Sequence, residues 1–323
     1  MAEKQKTPLK ELAKAVPAEA AIHSPENGAE ENGAEENGTE PGGKIPLGDA
    51  AKAAFAAAHI PDFGVCAFSA VADRLLPCRA AARLPKGARS VLIAAFPYRF
   101  PETGAPRNLS RYASVKDYHR VVPAALEQVA AALKAAAPRG EFAVFCDNSP
   151  IPEREAAAMA GLGMIGDNGL LIHPVFGSYL FLGEIVTDRL LTPTGSGRVE
   201  GCIHCGACGA ACPTDSIRRG TAKAETCLSA ITQKKGDLTP AEQAAVRQGG
   251  LCWGCDRCQE VCPCNRTARV APYPGFSGET PRLTAQDLED ADLTFRAYGW
   301  RGAAPLKRNL AILGREEAAH GEK

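Results

Sequence analysis

One cysteine pattern, written twice, restricts this chain more than any other feature. Cys202, Cys205, Cys208 and Cys212 spell C-x2-C-x2-C-x3-C before Pro213, and Cys252, Cys255, Cys258 and Cys262 repeat that spacing before Pro263. Thiolates two residues apart let a short loop wrap one cubane. The cysteine before the proline turns away into a helix and reaches the other cluster when two are paired. Soft anionic thiolates suit iron. Structural zinc also takes four cysteines, but usually as separated C-x2-C pairs. The doubled run therefore predicts two [4Fe-4S] clusters between Cys202 and Cys262.

Two further cysteines, Cys227 and Cys264, lie in or beside this region although the repeats already supply eight thiolates. Spacing alone selects Cys252 over Cys227. Cys66, Cys78 and Cys146 sit in apolar or unpatterned surroundings, where a cysteine behaves as a small buried hydrophobe. The start, MAEKQKTPLKELAKAV, lacks the apolar stretch of a secretory signal, and no apolar run is long enough for a membrane helix. A reducing, cytoplasmic setting is expected, with no membrane partner, and disulfides are the weaker reading of the thiols. Lys plus Arg equals Asp plus Glu at 37 each, so no global basic field advertises nucleic-acid binding.

Along the chain, 323 residues suggest about two folding units. Residues 26–40 repeat ENGAE, ENGAE, ENGTE, too polar to build a core, so residues 1–45 are expected to be disordered, with an Ala-rich helix conceivable over 9–21. Helical propensity in DAAKAAFAAAHI, strands in FGVCAF and SVLIAAFPY, a helix over 121–137, a strand in EFAVFCD ending at Asp147, helix EREAAAMA, and strands GLLIHP and YLFLGEIVT follow. The fold class expected is α+β: an α/β domain of the cobalamin-binding type over 46–195, a two-[4Fe-4S] ferredoxin-like module over 196–275, and a helical, peripheral tail over 276–323 containing ADLTFRAYGW and PLKRNLAILG. Gly161, Gly163 and Gly166 spell G-x-G-x-x-G, but between a helix and a strand, the reverse of the dinucleotide-binding order. They read as tight turns or as close backbone approach to a bulky cofactor.

Four segments, RYASVKDYHRVV, CDNSPIPEREAAAMAGLGMIGDNGLL, GSYLFLGEI and the cysteine module with its tail CWGCDRCQEVCPCNR, together resemble the epoxyqueuosine reductase family over about residues 46–275. Members are similar to cobalamin-dependent reductive dehalogenases, so the resemblance implies a bound cobalamin beside the two clusters. It also implies ligands Cys202, Cys205, Cys208 and Cys262 for one cluster and Cys212, Cys227, Cys255 and Cys258 for the other, because AETCLSAITQKKG matches the family's ligand-bearing segment. Spacing and resemblance thus disagree over Cys252 and Cys227.

By the same carry-over, Asp147 is the family's proposed proton donor, and Arg111, Tyr112, Asp147, Gly169, Leu170 and Ser178 border the corrinoid. Asp117, Tyr118 and His119 follow in the same segment. Read from residues alone, Asp147 is a turn residue before Asn148 and Ser149, His119 a hydrogen-bonded helix residue, and Glu153 a carboxylate at a helix N-terminus. The implied activity is two-electron reduction of epoxyqueuosine in tRNA, fed by a low-potential donor such as flavodoxin or ferredoxin. Longer family members end in a helical-repeat domain that helps grip tRNA, where this sequence offers one helix-like segment. Arg218, Arg219, Lys234, Lys235, Arg266 and Arg269 could form a local phosphate patch or be ordinary solvated charge. The rival readings are a two-cluster electron carrier without corrinoid, a reductase of a smaller substrate, and a dehalogenase relative, disfavoured by the lack of a twin-arginine signal.

Overall fold

The computed structural model describes residues 46–102, 104, 106–195, 202–218, 221–276, 280–290 and 292–320. The expected N-terminal repeat, the helix over 9–21 and Arg219 lie outside them. Residues 44–323 form one compact unit.

The elements run α1 (Leu47–Ala57), β1 (Asp62–Ala67), β2 (Ser90–Pro97), α2 (Arg111–Ser114), α3 (Tyr118–Ala136), β3 (Phe142–Phe145), α4 (Glu153–Met159), β4 (Met164–Ile165), β5 (Leu171–Ile172) and β6 (Leu180–Thr187). Beyond them come α5 (Ala207–Ala210), β7 (Ile217–Arg218), β8 (Thr221–Ala222), α6 (Leu228–Thr232), α7 (Pro240–Gly249), α8 (Arg257–Glu260), α9 (Asp287–Asp290) and α10 (Ala303–His320).

The main sheet has the order β1-β2-β6-β3, and every pairing in it is antiparallel. That corrects the alternating α/β reading of this part to α+β. Alternation of side chains along a strand explains its burial. Leu92, Ala94 and Phe96 of β2 face α1 and α3, whereas Val91 and Ile93 face α4, so both faces are covered and all eight residues of β2 are buried. On β6, Leu182 and Val186 belong to the α4 side, which places Glu184 between them on an otherwise apolar face.

Two local expectations change. The strand in EFAVFCD ends at Phe145, leaving Asp147 in the following loop at φ 60, a left-handed conformation that Asp tolerates better than most residues. ADLTFRAYGW gives two single 3-10 turns, Leu293–Phe295 and Gly299–Arg301: Asp292 caps the start of the first by accepting from the Thr294 amide, and the extended Arg296 ends it. Gly163 is needed for the β4–β5 hairpin: a Cβ there would collide with the Ile172 carbonyl, so close backbone packing accounts for it.

The tail is not peripheral. Asn309 of α10 is buried and its Nδ2 donates to the carbonyls of Thr232 at 2.8 Å and Cys252 at 2.7 Å. Leu306, Tyr298 and Leu283 share a core with Leu109, Cys252 and Trp253, tying the tail, the α2 segment and the second cysteine run together. No helix among the described residues is long and apolar enough to cross a membrane.

Candidate functional site

Two groups of thiols can be followed from the chain. Cys202, Cys205 and Cys208 approach Cys262 and Cys264 around one small cavity, which Gly166, Asp167 and Asn168 close from the β4–β5 hairpin. The Cys202 sulfur accepts from the Asp167 amide at 3.3 Å and the His204 amide at 3.4 Å. Burial pushes the Cys262 thiol up to about 11, and the adjacent Cys264 adds to the shift.

In the second group, burial raises Cys255 to about 11 and Cys258 to about 12, and the charges of neighbouring cysteines push further. Cys227 and Cys212 act on Cys255, while Cys255 and Cys227 act on Cys258. Burial also works to raise Cys212, but hydrogen bonds from Thr214 and Ser216 outweigh it and hold that thiol below its usual value. Thiols crowded in this way favour a cation that takes them as thiolates.

Cys252 belongs to neither group. It is fully buried among Leu109, Trp253, Tyr298 and Leu306, and burial pushes it up to about 12 with Arg282 as the charge acting on it. Its amide donates to Asn108 and its carbonyl accepts from Asn309, the profile of a core residue. All thirteen cysteines are free thiols.

A wider pocket, ≈ 640 Å³ with its solvent-open mouth, lies between the α2–α3 segment, the Asp147 loop and β6. Its apolar wall is Tyr118, Leu170, Leu171, Leu180, Phe181 and Leu182, and Tyr112, Asp147, Glu153, Arg154 and Ser178 add the polar groups. Of the residues carried over from the sequence, Tyr112, Asp147, Leu170 and Ser178 line it. Gly169 lies just behind, its carbonyl accepting from Arg154 Nη1. Arg111 does not line it: its guanidinium pairs with Glu102, and its amide donates to Asp256 at 2.8 Å.

Ser178 is fixed from the cysteine module. Asn265 Oδ1 accepts from its amide and Nδ2 donates to its hydroxyl, both at 2.8 Å, and Gln259 donates to its carbonyl at 3.2 Å. Gly177, at φ 60, permits this because a Cβ would collide with Asn265. Tyr112 makes a second link: its hydroxyl accepts from Trp253 Nε1 at 3.0 Å and Gln233 Nε2 at 3.3 Å, and Cys227 is among the groups acting on it. Tyr112 therefore ties the pocket wall to Trp253, two residues before Cys255.

At the pocket edge His119 bridges two acids, Nδ1 to Asp117 at 2.7 Å and Nε2 to Asp147 at 3.1 Å. The hydrogen bond to Asp117, then that to Asp147, raises the imidazole to about 9, so it carries a proton at neutral pH. Asp117 also caps α3 by accepting from the His119 amide at 3.0 Å. Behind Asp147, Glu153 Oε1 accepts from the Asp147 amide at 2.9 Å, and Glu184 of β6 stands next to Glu153.

Sequence reasoning did not single out Glu184, Asp256, Gln259 or Asn265. Glu184 had a signal, a carboxylate within the apolar run LFLGEIV, since Glu is almost never fully buried without a partner. The other three had none, because their partners are remote in the chain.

Residues 201–265 match the family model of the 4Fe-4S double cluster binding domain, and residues 79–148 match that of epoxyqueuosine reductase QueG, DUF1730. The epoxyqueuosine reductase of Leadbetterella byssophila is 31% identical over 241 residues, covering 72% of this chain and 79% of that protein. This chain belongs to the epoxyqueuosine reductase family. The Aliivibrio fischeri reductase is 34% identical over 202 residues, which is 60% of this chain. The chain spans about half the length of that relative, 54%. Among solved structures, an epoxyqueuosine reductase with an epoxyqueuosine-modified tRNA stem loop shares the fold, with a TM-score of 0.67 at 23% identity, covering 83% of this chain and 81% of its own. Family membership accounts for both thiol groups as the seat of two [4Fe-4S] clusters, and the soft, crowded donors described above fit that group.

Proposed function

We propose that this chain is a cytoplasmic, cobalamin-dependent iron–sulfur reductase that converts epoxyqueuosine in tRNA to the alkene. The overall change breaks two C–O bonds of the epoxide, forms one C=C bond, consumes two electrons and two protons, and releases water. The observation that carries the reading is the meeting of two supplies in one pocket: Tyr112 joins its wall to Trp253, two residues before Cys255 of the second thiol group, and the protonated His119 joins its edge through Asp147.

Cys202, Cys205, Cys208 and Cys262 would hold one cluster, and Cys212, Cys227, Cys255 and Cys258 the other, with Cys252 a packing residue. The action of Cys227 and Cys212 on Cys255, and of Cys255 and Cys227 on Cys258, with Cys252 absent from both, supports this choice over one based on spacing. Tyr112, Leu170 and Ser178 would hold the corrinoid, with Gly169 behind them and Arg111 bracing α2. An open pocket with a mostly apolar wall, tied through Tyr112 to Trp253 near Cys255, fits such a ring. Bound cobalamin would supply a cobalt centre able to collect two electrons delivered singly. The side chains would do the rest. Tyr118, stacked on Phe181 at 4.3 Å, keeps one wall dry and flat. Asp147, backed by His119, delivers a proton to the departing oxygen. Residues 46–195 then form the pocket part, 196–275 the cluster part and 276–323 a brace. A low-potential flavodoxin or ferredoxin is the matching electron donor.

The test is anaerobic purification with added iron and cobalamin, metal analysis of the desalted protein, and assay on an epoxyqueuosine-containing tRNA stem loop. About eight irons, one retained corrinoid and formation of queuosine are expected. Eight irons without corrinoid or turnover would leave an electron carrier instead.

A further inference from the structure

Glu184 is the one acidic residue on the α4-facing side of β6. It is fully buried, and neither carboxyl oxygen has a hydrogen-bond partner in good geometry, although the Ser149 and Glu153 side chains stand beside it. Its register neighbours, Ile93 on β2 and Phe145 on β3, are apolar. A charge there would be costly, so the group is held for a use or discharged by a shared proton.

The groups around it are acidic from several directions. Glu153 comes from the first turn of α4, Asp147 and Cys146 from the loop after β3, and Asp117 from the cap of α3 acts on the same Cys146. His119, also from α3, is turned to Asp117 and Asp147, and the Arg154 guanidinium is turned to the Gly169 carbonyl. Glu153 is the connecting residue: it lines the pocket, neighbours Glu184, and accepts from the Asp147 amide at 2.9 Å.

We propose that Glu153, half-buried at the pocket wall, and the fully buried Glu184 form a carboxylic acid–carboxylate pair that anchors the Asp147 loop and stores the second proton of the reaction, acting through Asp147 as positioning residues. This rests on the reductase reading. One proton leaves His119 through Asp147 when the first C–O bond breaks. The stored proton then recharges Asp147, so that the oxygen departs as water, and both His119 and the pair refill from solvent between turnovers. Two like carboxyls in contact cannot both ionise readily, which is what makes such a pair a store. Burial, followed by the charges of Glu184 and Asp147, holds Glu153 well above the ordinary carboxyl range, and burial raises Glu184 to about 7 although hydrogen bonding with Ser149 and Glu153 pulls it down.

The pair can be tested independently of turnover by infrared titration of the protonated-carboxyl band in the holoenzyme. The wild type should show a band that shrinks as pH rises through about 7, where Glu184 ionises, and keeps a Glu153 part to higher pH. In Glu184→Gln the remaining Glu153 band should titrate at lower pH, because its charged neighbour is gone, and the double Gln variant should lack the band. A wild-type spectrum without the band, or one unchanged by both single substitutions, overturns the pair.

Single-turnover assays on the stem loop then separate storage from anchoring. Glu153→Gln keeps an acceptor for the Asp147 amide, so KM should hold while the alkaline limb of the rate profile moves down and the rate at pH 8 falls about tenfold. Glu153→Ala should lose KM as well. Full rescue of rate and profile by Gln would reduce Glu153 to a structural anchor and overturn storage. Failure of the wild type to turn over the stem loop would sink the reductase reading, while the infrared result would still decide the pair.

Discussion

His119 shows how two neighbours convert an ordinary helix residue into a charged one. Its raised value means that the stability its ionisation contributes is fully present below the ordinary imidazole value of 6.5 and is lost as pH rises through about 9. His119→Gln should therefore remove that alkaline dependence from the unfolding profile and slow proton delivery, read as a lower single-turnover rate with little change in KM. Asp147→Ala should cost about 10²-fold or more in rate; unchanged turnover would take Asp147 out of the mechanism. Cys227 and Cys252 make the sharpest pair of substitutions. Cys227→Ser should lose about four irons. Cys252→Ser should keep both clusters but unfold more easily by about 1–3 kcal/mol, because its hydroxyl would enter an apolar core. The reverse pattern in iron analysis would restore the ligand set that spacing selects.

At the scale of elements, β6 carries an unusual load. Because the folded-state value of Glu184 is raised from 4.5 to about 7, the associated stability is fully present below the ordinary carboxyl value and is lost as pH rises through about 7. The wild type should lose on the order of 2–3 kcal/mol across that window, and Glu184→Gln should flatten the curve, as measured by urea unfolding at several pH values. A wild type equally stable from pH 5 to 8 would mean the pair does not titrate there. Helix α10 is the other exposed test. Asn309→Ala leaves the Thr232 and Cys252 carbonyls without their shared donor and should cost about 1–3 kcal/mol, with faster loss of iron from the neighbouring module.

For the whole molecule, the two halves differ in what holds them. The sheet and its helices bury a large apolar core on both faces, whereas the cysteine region has a small one built from Leu228, Ile231, Leu238, Ala245 and Val246, with Ile312 lent by α10. Metal ligation should therefore supply much of the order there. Removing iron with a chelator under air should expose residues 202–265 to protease while residues 62–187 stay protected; equal protection of both would show that packing alone suffices.

The sequence by itself determined the clusters, because ligand spacing along a short loop is a local property, and it determined most of the strands and helices, whose apolar periodicity is local as well. Asp147 was legible only through its motif; as an isolated residue it reads as a turn. What the tertiary structure decided were the relations between distant segments. Antiparallel pairing of β1, β2, β6 and β3 replaced an alternating pattern, since order along the chain does not fix direction in a sheet. Cys252 went into a core and Cys227 among thiols because α10 and the Leu109 segment close over the former. Glu184 met Glu153, and Ser178 met Asn265, across 31 and 87 positions of chain, separations over which only packing selects a partner for a buried polar group.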